Sequence, residues 1–397
     1  MRKVPIALLI FILIALTNAT SMATESDPVI IGISADMSGP SAMAGRSIYR
    51  GALLAVSELN EKGGLLGRPL VLSVKDHRAN PARGSTDMER FKEKPGLLAV
   101  IGGVHTPVAM EQLPIVHKEK IPFLIPWAAG THLVENGYNP NYVFRVSVRD
   151  DHAASFLINR LLQAGYQKPG LLLERTLWGQ SNETALYKAL NSRQVEPAGI
   201  QWFHWGATDL TSHIRQLIKK DADILILVSQ MEEGRIATRS MAALPTEKRL
   251  PMISHWGISC GDFFQNETAG ETDNLFFLQT FSFLAPALPE RAAHLYHLYS
   301  NTFPENHRPE AIPAPAGMAH TYDLVHMLAL AATRANTLER SIVRDHLENM
   351  NEYKGVMRDY KPPFTPERHD ALNPEDFRIA CFTSGGFITP CSIPAAP

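Results

Sequence analysis

Three cysteines and the lack of any long apolar run after the N-terminal segment limit what this chain can be. Three cysteines in 397 residues exclude a small scaffold held together by disulfides. No later segment approaches the ~20 consecutive apolar residues of a transmembrane helix, so we expect a soluble mature chain. The 38 Lys and Arg residues nearly balance the 40 Asp and Glu residues, and this balance gives no sign of binding to nucleic acid or anionic lipid.

Motifs of the common enzyme classes are missing as well. The sequence contains no G-x-G-x-x-G, P-loop or H-E-x-x-H pattern. His294 and His297 share a predicted helix face, but no cysteine or carboxylate cluster completes a metal site. We therefore expect no cofactor, no metal and no enzymatic activity.

The N-terminal segment has the layout of a secretory signal peptide. A cationic start precedes an apolar run from Val4 to Leu16, and small residues follow, with cleavage expected after Ala19 or Ala23. The lack of a cysteine near the cleavage point disfavours a lipoprotein. We predict that residues 1–23 are removed on export to the periplasm. The alternative is an uncleaved N-terminal anchor.

Short apolar runs alternate with segments of helical periodicity. Val29–Ile33 and Leu97–Ile101 are typical of strands buried on both faces. Apolar residues recur at helical spacing from Ile48 to Leu59, and the segment Ser34–Gly45 before them is predicted as a loop. This order of strand and helix predicts an α/β fold with a parallel sheet covered by helices.

The same alternation starts again near Tyr142, which predicts a second doubly wound parallel sheet. Beyond Leu275 the pattern turns helical, and the tail ends in a predicted hairpin. Cys381 and Cys391 bracket the turn of that hairpin, and export would permit a disulfide between them. The alternative is two buried thiols that never meet.

Several segments, most of them at the ends of predicted strands, together resemble one protein family. They are Val29–Pro40, Gly51–Ala52, Glu58–Arg68, Ala99–Gly103, Ile121–Pro126, Tyr142–Arg145, Trp178–Gly179, Trp205–Leu210 and Asp221–Ile224. In this order and spacing, from about residue 29 to 390, the chain resembles the type I periplasmic binding proteins. The branch that it resembles serves ABC importers of branched-chain amino acids and amides.

The resemblance implies two doubly wound parallel-sheet lobes joined by a three-segment hinge, the type I periplasmic binding protein fold. Lobe 1 would combine residues 29–145 with 281–354, and lobe 2 residues 146–280 with 355–397. A small-molecule solute would bind between the lobes, which close by a hinge motion. The implied partners of this monomer are the permease and ATPase of an inner-membrane ABC importer. The alternative is a periplasmic sensor of the same fold.

Three of the five tryptophans follow predicted strands, where parallel sheets bind ligands. Trp127, Trp178 and Trp256 are candidates for stacking on the solute, which contributes ~0.5–1.5 kcal/mol per pair. The alternative is that each ring packs its own loop. His105 and Gln230 also follow strands and are candidates for hydrogen bonds to the solute.

The resemblance also implies an anion site in the first lobe. Thr106 matches a hydroxyl with which family members hold a ligand carboxylate. Ala128–Thr131 matches their second anion-holding loop, which makes Ala129 and Thr131 candidates. Helix N-termini suit anions because free N–H groups and the helix dipole point there. The alternative for Thr106 is a plain N-cap.

One departure from the family bears on the solute. Relatives that bind amino acids place an acidic residue where this chain has Trp256, to receive the ammonium. A buried ammonium without a partner costs several kcal/mol. The sequence therefore favours a carboxylate or amide with an apolar or aromatic body, with a cation caged by tryptophans as a third option. Asp36, Glu232 and Glu233 are the acids that would replace the missing acceptor.

Overall fold

The structure is a computed structural model, and it describes residues 27–260, 272, 274–304, 308–383 and 386–396. The predicted signal peptide lies within residues 1–26, outside the described part of the chain. Within the described part, no helix is both long and apolar enough to cross a membrane.

The described residues form strands and α-helices that alternate through most of the chain. The strands are β1 (Val29–Ala35), β2 (Leu70–Asp76), β3 (Leu97–Ile101), β4 (Phe123–Ile125), β5 (Val143–Arg145), β6 (Pro169–Glu174), β7 (Gly199–Phe203), β8 (Ile224–Val228), β9 (Met252–Ser254), β10 (Leu275–Gln279), β11 (Tyr353–Lys354), β12 (Asp359–Tyr360), β13 (Arg378–Phe382) and β14 (Ile388–Pro390). The helices are α1 (Ala42–Glu61), α2 (Pro81–Lys92), α3 (Thr106–Lys118), α4 (Asp150–Gln163), α5 (Leu177–Asn191), α6 (Thr211–Lys219), α7 (Met231–Ala242), α8 (Pro289–Thr302), α9 (Pro315–Ala335) and α10 (Arg340–Glu348).

The first sheet has five parallel strands in the order β2-β1-β3-β4-β5. Helices α2 and α3 cover one face, and α1 and α9 pack together over the other. The approach of α1 to α9 depends on Gly51, because a Cβ there would lie 2.3 Å from the carbonyl oxygen of Met318. Helix α9 thus returns to the first lobe although it is remote in sequence.

The second sheet has seven strands in the order β14-β13-β10-β9-β8-β6-β7. Its strands β6 to β10 are parallel, whereas β13 runs antiparallel to β10 and β14 antiparallel to β13. The pairing of β13 with β14 confirms the predicted hairpin. Cys381 and Cys391 are free thiols, and the Cys391 thiol hydrogen bonds to that of Cys381.

The chain passes from the first lobe to the second directly after β5. A later segment runs beside β5 in parallel: the Arg145 N–H donates to the His369 carbonyl, and the Ala371 N–H donates to the Arg145 carbonyl, both at 2.9 Å. Part of the range 355–397, predicted as lobe 2, therefore contacts the first sheet before the chain enters β13.

Two predictions of secondary structure are wrong. Helix α1 begins at Ala42, inside the segment predicted as a loop, because small residues in its first turn weaken the apolar period. Gly45 is one of them, and a Cβ there would lie 1.8 Å from the Asp36 carbonyl oxygen. Strand β10 lies in the region predicted to be helical, since its short apolar run, Leu275–Leu278, fits either structure.

Candidate functional site

A cavity of about 360 Å³ opens between the carboxyl ends of the two sheets. Its first-lobe wall comes from the loops after β1, β2 and β3, and contains Pro40, Ser41, Ala79 and His105. Its second-lobe wall comes from the loop after β7 and the start of α7, and contains Trp205–Thr208, Gln230, Glu232, Glu233 and Ile236. Small-molecule sites typically have volumes of ~300–1,000 Å³. Another cavity of about 400 Å³ lies between α1 and β14, but no predicted site residue lines it.

His105 joins the first-lobe wall to a buried carboxylate. Its Nε2 lies 3.5 Å from Oδ2 of Asp36. The same carboxylate accepts from the Gly39 N–H through Oδ1 at 2.6 Å and from the Ser41 N–H through Oδ2 at 3.0 Å. Burial raises the pKa of Asp36, but the hydrogen bonds from His105 and these N–H groups outweigh it, so this pKa lies below its usual range. An ionised Asp36 keeps the His105 proton on Nε2. The ring of Trp205 approaches His105 edge-on from the second lobe, with centroids 5.6 Å apart.

The second-lobe wall of the cavity is hydrogen bonded to a buried carboxyl group. Glu174, at the end of β6, accepts from Oγ1 of Thr176 at 2.7 Å and from Nε1 of Trp205 at 3.2 Å. Burial raises the pKa of Glu174 to about 7, the neighbouring Glu233 adds to the rise, and the two hydrogen bonds oppose it. Glu233 in turn accepts from the Gly206 N–H at 2.9 Å.

The substitution Glu174→Gln is expected to change how stability depends on pH. Because its pKa in the folded chain, about 7, exceeds that of an exposed glutamic acid, the folded state holds this proton more tightly than the unfolded state does. That stabilisation is complete below the unfolded pKa and is lost as pH rises through the folded pKa. From about pH 5 to about pH 8, the native chain should lose about 2 kcal/mol more unfolding free energy than Glu174→Gln.

Urea denaturation at the two pH values measures this difference. Asp323, whose pKa burial raises to about 6, titrates in both proteins and cancels. Equal pH dependence of the native chain and Glu174→Gln would show that Glu174 does not titrate in this range.

Trp127 and Trp256 form a stacked pair between the lobes. Their ring centroids are 4.5 Å apart, their planes differ by 19°, and both residues are buried. Trp127 follows β4 of the first sheet, whereas Trp256 follows β9 of the second. The Trp256 ring also lies 5.6 Å from that of His320 on α9. The two indoles therefore contact each other, and neither lines the cavity.

Trp178 lies in the first turn of α5, which begins at Leu177. Its Nε1 donates to Oδ1 of Asp150 at 3.0 Å, and Nε2 of His255 lies 3.3 Å from the same oxygen. Nδ1 of His255 accepts from the Trp256 N–H at 2.9 Å, so its proton is on Nε2. A Cβ at Gly257 would lie 2.6 Å from the Trp178 ring, so a glycine is needed for this packing.

The predicted anion loop is engaged by groups of the protein itself. Oγ1 of Thr106 accepts from the Gly130 N–H at 3.1 Å, and the Thr131 N–H donates to Oγ of Ser181 on α5 at 3.2 Å. Ala129 is also buried. His105 is the N-cap of α3, so the interpretation of Thr106 as a plain N-cap is wrong.

Two of the predicted site residues, His105 and Gln230, line the cavity. The other six lie at the carboxyl ends of the sheets without lining it: Thr106, Trp127, Ala129, Thr131, Trp178 and Trp256. Sequence reasoning missed Trp205 and Glu174. Trp205 stands in one of the segments that carry the family resemblance, and that position was the available signal.

A family model described as periplasmic binding protein matches residues 28–380. The chain belongs to the periplasmic binding protein family. This periplasmic binding protein is similar to the Leu/Ile/Val-binding protein BraC3 of Rhizobium johnstonii, with 23% identity over 312 residues, which cover 78% of this chain and 80% of that protein.

Solved structures confirm the predicted type I fold with its two parallel-sheet lobes. A periplasmic binding protein type 1 from Bordetella pertussis Tohama I aligns with a TM-score of 0.83 and 20% identity, over 92% of this chain and 100% of that one. A leucine binding protein, LivK from Thermotoga maritima MSB8, aligns with a TM-score of 0.78 and 16% identity, over 92% and 98%. The family and the fold are those of non-enzymatic solute-binding proteins.

Proposed function

We propose that this periplasmic binding protein captures a small solute between its lobes and delivers it to an ABC importer in the inner membrane. The cavity between the carboxyl ends of the two sheets carries this proposal, because residues of both sheets bound it. The lobes would be residues 29–145 with 281–354, and residues 146–280 with 355–397. The names of the relatives, which refer to leucine, isoleucine and valine, support a small organic solute.

Direct contacts with the solute would come from opposite walls. His105 is the N-cap of α3 and Gln230 is the N-cap of α7, so each is fixed at the start of a helix. The stack of Trp127 on Trp256 and the loop at 128–131 would hold the lobes together around the solute. Under this proposal the cavity recognises the solute, and the buried stack of Trp127 on Trp256 beside it holds the lobes closed.

The proposal is tested with the solute that copurifies. Protein isolated gently from the periplasm should release a small molecule that mass spectrometry identifies, and returning this molecule to stripped protein should reduce the radius of gyration in solution scattering. Gln230→Ala should weaken binding about ten-fold, or ~1.4 kcal/mol. The matched control is Gln216→Ala, on the exposed face of α6, which should bind normally.

Two results would contradict the proposal. Tight binding without any change in scattering radius would argue against closure of the lobes. Uptake of the identified solute that is unaffected by deletion of the gene would argue against a role in import.

A further inference from the structure

The cavity offers negative charge and no cationic side chain. Glu232 and Glu233 line it, and no lysine or arginine stands among the described residues that do. Glu233 is 7% exposed and binds the Gly206 N–H through one carboxylate oxygen, Oε1. Arg235 lies 3.8 Å from Glu232 but does not line the cavity. A solute in this position therefore faces two carboxylates.

Two buried acceptors point to a ligand that donates hydrogen bonds. His105 is 3% exposed and Gln230 is 7% exposed, and both line the cavity. Nδ1 of His105 and Oε1 of Gln230 have no hydrogen-bond partner among the described residues. With the proton of His105 on Nε2 towards Asp36, Nδ1 is an acceptor. Buried acceptors are normally paired, so these two favour a bound donor.

The N–H groups that would hold a carboxylate already have acceptors in the protein. The Gly130 N–H donates to Thr106, and the Thr131 N–H donates to Ser181. Nε1 of Trp178, a third donor in this region, bonds to Asp150. An anionic solute would have to break these contacts or lie among like charges.

We propose that the solute is an organic amine, bound as a cation with an apolar body and without a free carboxylate. The inference rests on the proposed function, because it assigns a chemistry to the same cavity. The ammonium group lies beside Glu233, in a cavity that Glu232, Gln230 and His105 also line. The apolar body lies against Pro40, Ala79, Trp205, Ala207 and Ile236, and the indole adds an attraction for the cation.

Two series of compounds test this chemistry, and within each series the apolar body is the same and only the polar head group differs. Isohexylamine, isocaproamide, isocaproate and leucine share one branched body; phenylpropylamine, phenylpropanamide, phenylpropanoate and phenylalanine share an aromatic one. Thermal-shift titration of the full-length mature protein should show the largest rise in melting temperature with the amines. Calorimetry should give dissociation constants at least about ten-fold lower for the amines than for the carboxylates. Carboxylates or amino acids that bind as tightly as the amines, or amines that give no shift, overturn the proposal.

Two variants test whether the preference for amines arises in this cavity. Glu233→Gln keeps an oxygen for the Gly206 N–H but removes the charge, so amine binding should weaken about ten-fold or more, while binding of the matching amides should change little. Glu247→Gln, on an exposed turn, is the matched control and should bind amines normally. Equal losses for amine and amide would assign Glu233 a merely structural role and overturn its part in the proposal.

Solution scattering distinguishes the proposal of an amine solute from the proposal that the lobes capture a solute by closing. Compaction with a carboxylate but not with an amine would support solute capture and overturn the amine assignment. Binding of amines without compaction would support the assigned chemistry and contradict capture by closure.

Discussion

Replacing Trp256 with alanine is expected to lower the free energy of unfolding by roughly 3–5 kcal/mol. The ring is 1% exposed and stacks on Trp127 with 4.5 Å between centroids. Its removal leaves a cavity between the lobes, with Trp127 on one side and His320 on another. Because the stack joins the two sheets, we also expect Trp256→Ala to increase the radius of gyration of the solute-free protein. Urea denaturation and solution scattering measure the two effects.

Trp205→Ala is the matched control for this prediction. It removes the same side chain at a position that is 39% exposed, where the ring loses one hydrogen bond to Glu174 at 3.2 Å. We expect a loss of only about 1 kcal/mol. If Trp256→Ala is no more destabilising than Trp205→Ala, or if its scattering is that of the native chain, the tryptophan stack does not hold the lobes together.

The strands of the fold could be predicted well because their signal is local. The run at 97–101 is buried on both faces of its sheet, and a continuous apolar run with defined ends is then the pattern to expect. The first turns of the helices carry a different signal. In α5 this turn holds Trp178 and Gly179, which are placed by contacts with other segments, and these contacts are not visible in periodicity.

The candidate site could be predicted only as a set of strand ends. Position after a strand placed His105, Gln230 and Trp256 at the correct edge of the sheets. Position in the sequence could not show whether an indole ring would contact the solute or another part of the protein, because the stack of Trp127 on Trp256 joins residues from two different sheets. That Trp256 stands where amino-acid-binding relatives have an acidic residue stays a prediction of the family resemblance. Gln230 and Glu233 were separate candidates from the sequence, and their position on one wall of the cavity became apparent only in the structure.

Asp370→Ala is expected to lower the free energy of unfolding by roughly 3–5 kcal/mol, because it leaves the Arg145 charge buried without its carboxylate. Nε of Arg145 donates to Oδ1 of Asp370 at 2.5 Å, and neither side chain is more than 1% exposed. The same guanidinium holds the anion loop through the Gly130 carbonyl at 2.8 Å. The pair therefore joins the segment after β5 to the segment at 369–371, which runs beside β5. It also joins both to the loop at 128–131, beside the Trp127–Trp256 stack.

Two further variants decide whether the effect comes from buried charge. Glu89→Ala breaks an exposed ion pair with Lys92, and we expect it to cost no more than about 1 kcal/mol. The double substitution Arg145→Met with Asp370→Leu removes both charges and should recover part of the loss, because an apolar pair needs no partner. The recovery should be incomplete, since the Gly130 carbonyl loses its donor. Urea denaturation of the three proteins gives the comparison. A double variant less stable than Asp370→Ala would show that the hydrogen bonds of Arg145 matter more to this crossover than the removal of its unpaired charge.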